Sequence, residues 1–277
     1  MILSHTLIWR KLREFKILQE HRRVAEICEA HIADYQKNPV HFELAPRQHF
    51  DSDRIIWQYW AQGYDDVPPI VKECLESVEK YAGDFTLVRL TDENLQDYLD
   101  LPDFVCQKRQ SVYSRAFFSD LLRLMLLKTY GGIWMDATIM LSGPIPEEYM
   151  DNDLFFFRRD PDEPHIAYWR NTYAYYFGWA KGFRVNMLSS FMVGKKSSQS
   201  ISELCDLMLL WWKNHDDLPN YFFLQILVDV YGCLEAFPLI SDTLPHYLQQ
   251  SIDNPAFKLM PQDQILKTIP IHKRTYK

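Results

Sequence analysis

The chain has no run of about 18 uncharged apolar residues, the length a bilayer-spanning helix needs, so no spanning segment is expected. It has no CxxC pair. Its five cysteines (Cys28, Cys74, Cys106, Cys205, Cys233) are scattered and odd in number, which argues against a zinc site and for reduced thiols, hence the cytoplasm. No glycine-rich loop follows the first strand-like run, and the GKKS string at 194–197 lacks the spacing of a phosphate-binding P-loop. A nucleotidyltransferase of that kind is disfavoured. The N-terminal basic cluster follows a short apolar run, the reverse of a secretory signal. There is no internal repeat and no low-complexity segment. An excess of positive charge is also missing: net charge is −7, which excludes a general nucleic-acid binder. Residues 1–37 hold seven Lys/Arg against five Asp/Glu, leaving −9 on the remainder.

What is present is a 277-residue chain, 47% hydrophobic and 15% aromatic, ample for a large core. It is organised around Ser119–Thr138, SDLLRLMLLKTYGGIWMDAT. The first part predicts a helix apolar on nearly all sides, with Arg123 as an internal charge, and such a helix belongs in the interior. Gly131-Gly132 closes it. Ile133, Trp134 and Met135 then read as a short strand, with Asp136 at its end. A buried unpaired carboxylate is costly, so Asp136 should face a polar partner or a cleft, and in open α/β sheets ligands collect at the carboxyl ends of strands. Asp120 and Arg123 share one helix face. They either join Asp136 at a ligand site or pair with each other structurally.

Taken in order, residues 7–37 predict a helix with interleaved Arg10, Lys11, Arg13, Lys16, Arg22 and Arg23. Such a helix either lies on an anionic membrane surface or packs on the main domain with its basic side in water. The second reading is favoured, because Glu14, Glu20, Glu26 and Glu29 dilute the basic side. Pro39 and Pro46 mark a linker before residue 53. Arg54–Tyr59 reads as the first core strand, and Trp60–Gly63 follows it with aromatic and amide groups able to stack on and bond a flat ring. A helix opening at Pro68-Pro69, a strand Phe85–Leu90, a short helix capped by Thr91 and another from Pro102 lead into the central helix, which starts near Ser111 or Ser114. This strand–helix–strand–helix–strand order predicts a parallel, doubly wound α/β sheet. Further strands are expected at Leu154–Arg158 and Asn186–Val193, and helices from Ser198 or Ser200 to Trp212 and over Leu218–Tyr231. The aromatic stretch 165–185 reads equally as an acceptor groove or as packed core. Asp217, Asn220 and Gln225 read as cleft-facing or, the favoured reading, solvated.

RIIWQYW, then SxAxxSDLLR, then YGGIWMDAT resembles the DXD sugar transferases of glycosyltransferase family 32, in the capsular polysaccharide synthesis branch. The resemblance runs from Arg54 to Ile145 and more weakly through the C-terminal half. It implies a GT-A-like (Rossmann-like) α/β fold, with a mixed, mostly parallel sheet flanked by helices. That domain, 51–277, would follow an N-terminal helical extension and linker, 1–50. It implies a retaining hexosyltransferase with a nucleotide-sugar donor, most often a UDP-sugar, and a growing oligosaccharide or lipid-linked oligosaccharide acceptor. The protein would be cytoplasmic, with peripheral contact to the inner membrane face through residues 7–37. Trp57 and Gln58 match the base and ribose pocket. Ser119, Asp120 and Arg123 match the helix that holds the donor sugar, and Asp136 the first aspartate of the DXD. Its second aspartate is Thr138 here, a poorer ligand for a hard cation than a carboxylate. A Mn2+ or Mg2+ ion would be held by Asp136, Thr138 and His272, while Lys273 and Lys277 of the tail close over the diphosphate. Read without the resemblance, that tail is an ordinary disordered chain end. The rival function is a non-catalytic sugar-nucleotide-binding or scaffolding module, suggested by the absent second aspartate.

Overall fold

The computed structural model describes residues 7–111, 113–234 and 238–275; Lys277 lies outside the described residues. The chain begins with a 31-residue helix, α1 (Leu7–Lys37), and enters the sheet at β1 (Ile55–Tyr59). There follow α2 (Pro69–Tyr81), β2 (Thr86–Leu90), α3 (Asp103–Ser111), α4 (Arg115–Tyr130), β3 (Gly132–Met135), β4 (Ile139–Leu141) and β5 (Leu154–Arg158). The second half contains α5 (Ile166–Trp169), β6 (Met187–Gly194), α6 (Gln199–Asn214), α7 (Phe223–Tyr231), α8 (Tyr247–Asp253), α9 (Gln262–Thr268) and β7 (Ile271–Lys273).

The central sheet has the order β2-β1-β3-β6-β5. β2, β1 and β3 are parallel, while β6 runs antiparallel to both β3 and β5. Four of its five strands therefore share one direction, the mixed, mostly parallel sheet expected from the sequence. β1 and β3 are buried along their whole length, because helices cover both faces of such a sheet. Strand alternation divides the core in two. Ile56, Ile133 and Phe155 face one layer with Val78 of α2, and Trp57, Trp134 and Phe156 face the other with α4 and α6. α4 is capped by Ser114, whose side chain accepts from the Phe117 N–H, and Leu121–Leu127 are buried without a break. Its apolar circumference is explained by the sheet on one side and α6 on the other.

Gly131 and Gly132 make the turn from α4 into β3 with φ of 77° and 99°. A Cβ on Gly132 would sit 2.5 Å from the Ile55 carbonyl oxygen, so only glycine lets β3 approach β1 this closely. Beside this turn the Tyr130 hydroxyl takes N–H bonds from Arg47 and Gln48 and donates to the Tyr98 carbonyl. The linker is thereby tied to the core. α1 packs on α7 and α6. It buries Ile17, Val24, Cys28 and Ile32 in the core that also holds Trp57 and Leu121, while Ile8, Leu12 and Phe15 remain exposed.

Three sequence expectations shift. The helix read over Leu218–Tyr231 starts at Phe223, because Pro219 and an Asn220 turn that receives the Phe222 N–H occupy its first residues. The aromatic stretch is largely core: Trp169 and Phe177 are sealed, and the Arg159 guanidinium sits among Phe177, Trp179 and Phe183 while pairing with buried Asp242. The stretch 271–273 of the tail is strand and not a loose chain end, since β7 pairs antiparallel with β4 in a two-stranded sheet, Ile139 opposite Lys273.

Candidate active site

In α4, Ala116, Ser119, Asp120 and Arg123 follow a three–one–three spacing that puts them on one stripe. In β3, alternation places Trp134 and the next-but-one residue, Asp136, on the face that α4 covers. The two sets meet. Arg123 Nη2 lies 3.0 Å from Asp120 Oδ1 and 3.7 Å from Asp136 Oδ1. The rest of the guanidinium is held in place: Nη1 donates to the Ser189 carbonyl at 2.5 Å and Nε to the Ser119 carbonyl at 3.1 Å, with Ser119 Oγ 3.3 Å from Nη2. Its central carbon stands 5.2 Å from the Trp134 ring. The Trp134 indole N–H donates to Asp136 Oδ1 at 2.8 Å. The other Asp136 oxygen accepts from Lys273 Nζ at 3.2 Å, and the same ammonium donates to Thr138 Oγ1 at 2.5 Å.

All of these residues except the buried Trp134 line a pocket of about 410 Å³ at the carboxyl ends of β1 and β3. Two acids and two bases thus share a small volume, and burial separates the acids. Burial pushes Asp120 up to about 6; Arg123 opposes this and the Asp136 charge adds to it. Burial also acts upward on Asp136, but Lys273, Arg123 and the Trp134 N–H outweigh it and hold its carboxyl below the usual range. Asp136 is therefore the permanent anion of the pair at neutral pH, and Asp120 is the one that titrates.

The structure brings Ser119, Asp120, Arg123, Asp136, Thr138 and Lys273 to one pocket. It does not bring Trp57, Gln58 or His272 there. Trp57 is fully buried, donating to the Gly131 carbonyl at 2.9 Å and packed against Tyr130. Gln58 is sealed in the sheet, with neither end of its amide hydrogen-bonded among the described residues. Their neighbours just past the strand, Trp60 and Gln62, line the pocket instead. His272 is fully buried and bonds Ser142 Oγ at 2.9 Å, and burial holds it down to about 4. As the strand neighbour of Lys273 it is turned the other way. Arg115, which precedes the polar stripe on α4, and Ser189 and Ser190 on β6 line the pocket without having been singled out in the sequence. Gln225 on α7, read from the sequence as more readily solvated than cleft-facing, is buried and lines the pocket. Gln225 Nε2 donates to Ser189 Oγ at 2.9 Å, while Gln225 Oε1 and Ser190 Oγ are buried without a hydrogen-bond partner among the described residues.

A divalent ion held by Asp136 and Thr138 would have to take the place of the Lys273 ammonium, which contacts the same two side chains. Among the described residues no three His, Cys, Asp or Glu side chains converge as a metal site. The residues as they are arranged do not fit a divalent ion.

Fold and pocket together define an α/β protein with a ligand pocket where its parallel strands end, the usual position in open sheets. A family model described as "Capsular polysaccharide synthesis protein" matches residues 8–277, and the chain belongs to that family. Curated relatives include "O-glycosyltransferase PaGT" of Phomopsis amygdali, 24% identical over 172 residues (58% of this chain, 39% of the relative). Another is "O-glycosyltransferase braB" of Annulohypoxylon truncatum, 27% identical over 189 residues (64% of this chain, 42% of the relative). The chain thus spans about two fifths of the length of these relatives. A solved structure titled "PaToxG Glycosyltransferase" superposes with a TM-score of 0.42 at 14% identity, covering 84% of this chain and 81% of that one. Among the described residues no helix is long and apolar enough to cross a membrane.

Proposed function

We propose that this chain is a glycosyltransferase that moves a hexose from a nucleoside-diphosphate sugar, with UDP the first donor to test, to a hydroxyl of an oligosaccharide acceptor. The observation that carries this reading is one pocket holding two carboxylates, Asp120 and Asp136, and three cations, Arg115, Arg123 and Lys273, together with two hydrogen-bonding atoms, Gln225 Oε1 and Ser190 Oγ, that have no partner among the described residues. A sugar presents many hydroxyls and needs acceptors and donors on several sides, which this set supplies. Asp120 and Asp136 accept hydrogen bonds from hydroxyls of the donor sugar, and Arg123, fixed by five hydrogen bonds and ion pairs, keeps both carboxylates aimed.

In the proposed reaction the bond from the anomeric carbon to the diphosphate oxygen breaks and a bond to the acceptor oxygen forms. The acceptor's proton ends on the departing diphosphate. Charge developing on that diphosphate needs a cation beside it, and Lys273 supplies it, with Arg115 at the pocket wall as a second. No side chain has to act as a nucleophile, and we propose retention at the anomeric carbon. The test is turnover of a panel of UDP-sugars, with and without manganese, and the anomeric configuration of the product read by NMR. A second reading, a module that binds sugar nucleotides without turning them over, is favoured by the Lys273–Asp136 pair standing where a metal site is expected. It predicts UDP binding with no transfer or hydrolysis of any donor.

A further inference from the structure

We propose that His246 is an acceptor-positioning residue: its Nε2 takes a hydrogen bond from the hydroxyl that neighbours the reacting one on the sugar that receives the hexose. This rests on the transferase reading above and adds a residue that the sequence did not single out. His246 is 7% exposed and lines the pocket. Its Nδ1 lies 2.9 Å from the Asp242 carbonyl oxygen. A carbonyl only accepts, so Nδ1 carries the hydrogen and Nε2 is left with a lone pair. Among the described residues Nε2 has no hydrogen-bond partner. Burial holds the ring neutral, down to about 4, with the Lys273 and Arg159 charges acting in the same direction against the Asp242 carboxylate. Nε2 therefore stays an acceptor at neutral pH.

The ring is locked in place. Tyr173, Tyr176 and Phe177 pack around it, with ring centroids 5.6, 5.4 and 5.1 Å away. The Tyr176 hydroxyl donates to Asp242 Oδ2 at 3.1 Å, and that fully buried carboxylate pairs with Arg159 at 2.9 Å. One buried ion pair thus anchors the histidine through the Asp242 carbonyl and the neighbouring tyrosine through its carboxylate. Phenylalanine would serve packing alone, whereas a buried acceptor without a partner is costly. The lone pair in the pocket calls for a ligand group that donates.

Chemistry selects that group. Diphosphate oxygens are acceptors and cannot bond Nε2. The short turn Leu244–His246 packs against β7, the strand of Lys273, and Lys273 is the proposed cation for the departing diphosphate. Retention without a protein nucleophile brings the acceptor oxygen to the anomeric carbon on the face from which the diphosphate leaves. The acceptor sugar then lies beside Lys273, in the part of the pocket that His246 borders. Its reacting hydroxyl gives its proton to the diphosphate, so the bond to Nε2 comes from the next hydroxyl on the ring.

The experiment compares the wild type with His246→Phe, which keeps a ring and deletes the acceptor atom, and His246→Gln, which puts an amide oxygen near the Nε2 position. UDP affinity, donor hydrolysis and the KM for transfer to a panel of methyl hexopyranosides are measured on each full chain. His246→Phe is expected to raise the acceptor KM at least about tenfold, the worth of one hydrogen bond, with UDP affinity unchanged, and His246→Gln to recover most of that loss. A packing role predicts the reverse order, with phenylalanine the milder change. That reverse order, equal KM in all three proteins, or wild-type hydrolysis of a donor with no use of any hexopyranoside overturns the inference. Should His246→Phe not fold, the nitrogen NMR resonance of His246 Nε2 in the wild type decides. Hexopyranoside added to the UDP-saturated protein must shift it, and an unmoved resonance overturns the inference. Wild type that neither binds UDP nor hydrolyses any donor removes the transferase reading itself, and this inference with it.

Discussion

Replacing Lys273 by Met removes an ammonium that touches both Asp136 and Thr138 while keeping roughly the length of the side chain. The magnitude follows from the geometry. At 3.2 Å the Coulomb attraction between Lys273 and Asp136 is about 5 kcal/mol at an effective dielectric near 20. Desolvation of both groups, 23% and 27% exposed, offsets most of that. In the proposed donor complex the ammonium turns from the carboxylate to the diphosphate, and the net worth of one such charge-assisted contact is about 1.5–3 kcal/mol. UDP should then bind Lys273→Met about 10- to 150-fold more weakly than the wild type. The assay is calorimetry in the presence of EDTA, which should leave wild-type affinity untouched. The variant also opens the space between Asp136 and Thr138, so manganese should recover part of its UDP affinity. Equal UDP binding by variant and wild type, or loss of wild-type binding in EDTA, would refute the assignment of Lys273 as the cation of the site.

Other consequences can be checked separately. Because burial lifts Asp120 from its ordinary 3.8 to about 6, the folded chain holds that proton more tightly than the unfolded one. Asp120 therefore subtracts stability as pH rises from about 4 through 6, by up to about 3 kcal/mol. Urea denaturation of Asp120→Asn against wild type across that range should show the difference, and a flat difference would disprove it. Donor turnover should fall below about pH 6, where Asp120 becomes protonated, and Asp120→Asn should lack that acid limb. Gly132→Ala forces a Cβ to 2.5 Å from the Ile55 oxygen at positive φ and should cost at least about 2 kcal/mol; wild-type stability in a melt would contradict the close approach of β3 to β1. Asp206 is fully buried and holds Lys128, His41 and the Phe42 N–H. Asp206→Ala leaves Lys128 unpaired and should lose about 3–5 kcal/mol in chemical denaturation without weakening UDP binding.

The parts legible in the sequence are those written locally. The apolar run of α4, its Ser114 cap and the glycine pair gave the central helix, the turn and the strand ending at Asp136, because each depends on residues within a few positions. The convergence of Asp120, Arg123 and Asp136 followed from helix and strand periodicity. What could not be read was set by register between distant segments. Trp57 and Gln58 lie inside β1 and are closed off by neighbouring layers, so the pocket falls to Trp60 and Gln62 beyond the strand end. His272 and Lys273 are adjacent in sequence, yet pairing of β7 with β4 turns them to opposite sides and only Lys273 reaches Asp136. Gln225 faces the pocket because α7 begins at Phe223, a start set by the Pro219–Asn220 turn and not by the apolar run that follows it. Arg115 carried a signal that went unused, standing just ahead of the one polar stripe on an apolar helix.

The claim that most needs testing is that this pocket turns over a nucleotide sugar through Asp136. The most direct measurement is the rate of transfer or hydrolysis of a UDP-sugar panel by wild type and Asp136→Asn. The account predicts turnover of at least one donor by the wild type and a loss of about 100-fold or more in the variant, with the fold retained by circular dichroism. Equal rates in the two proteins, or no turnover of any donor by the wild type, would contradict it.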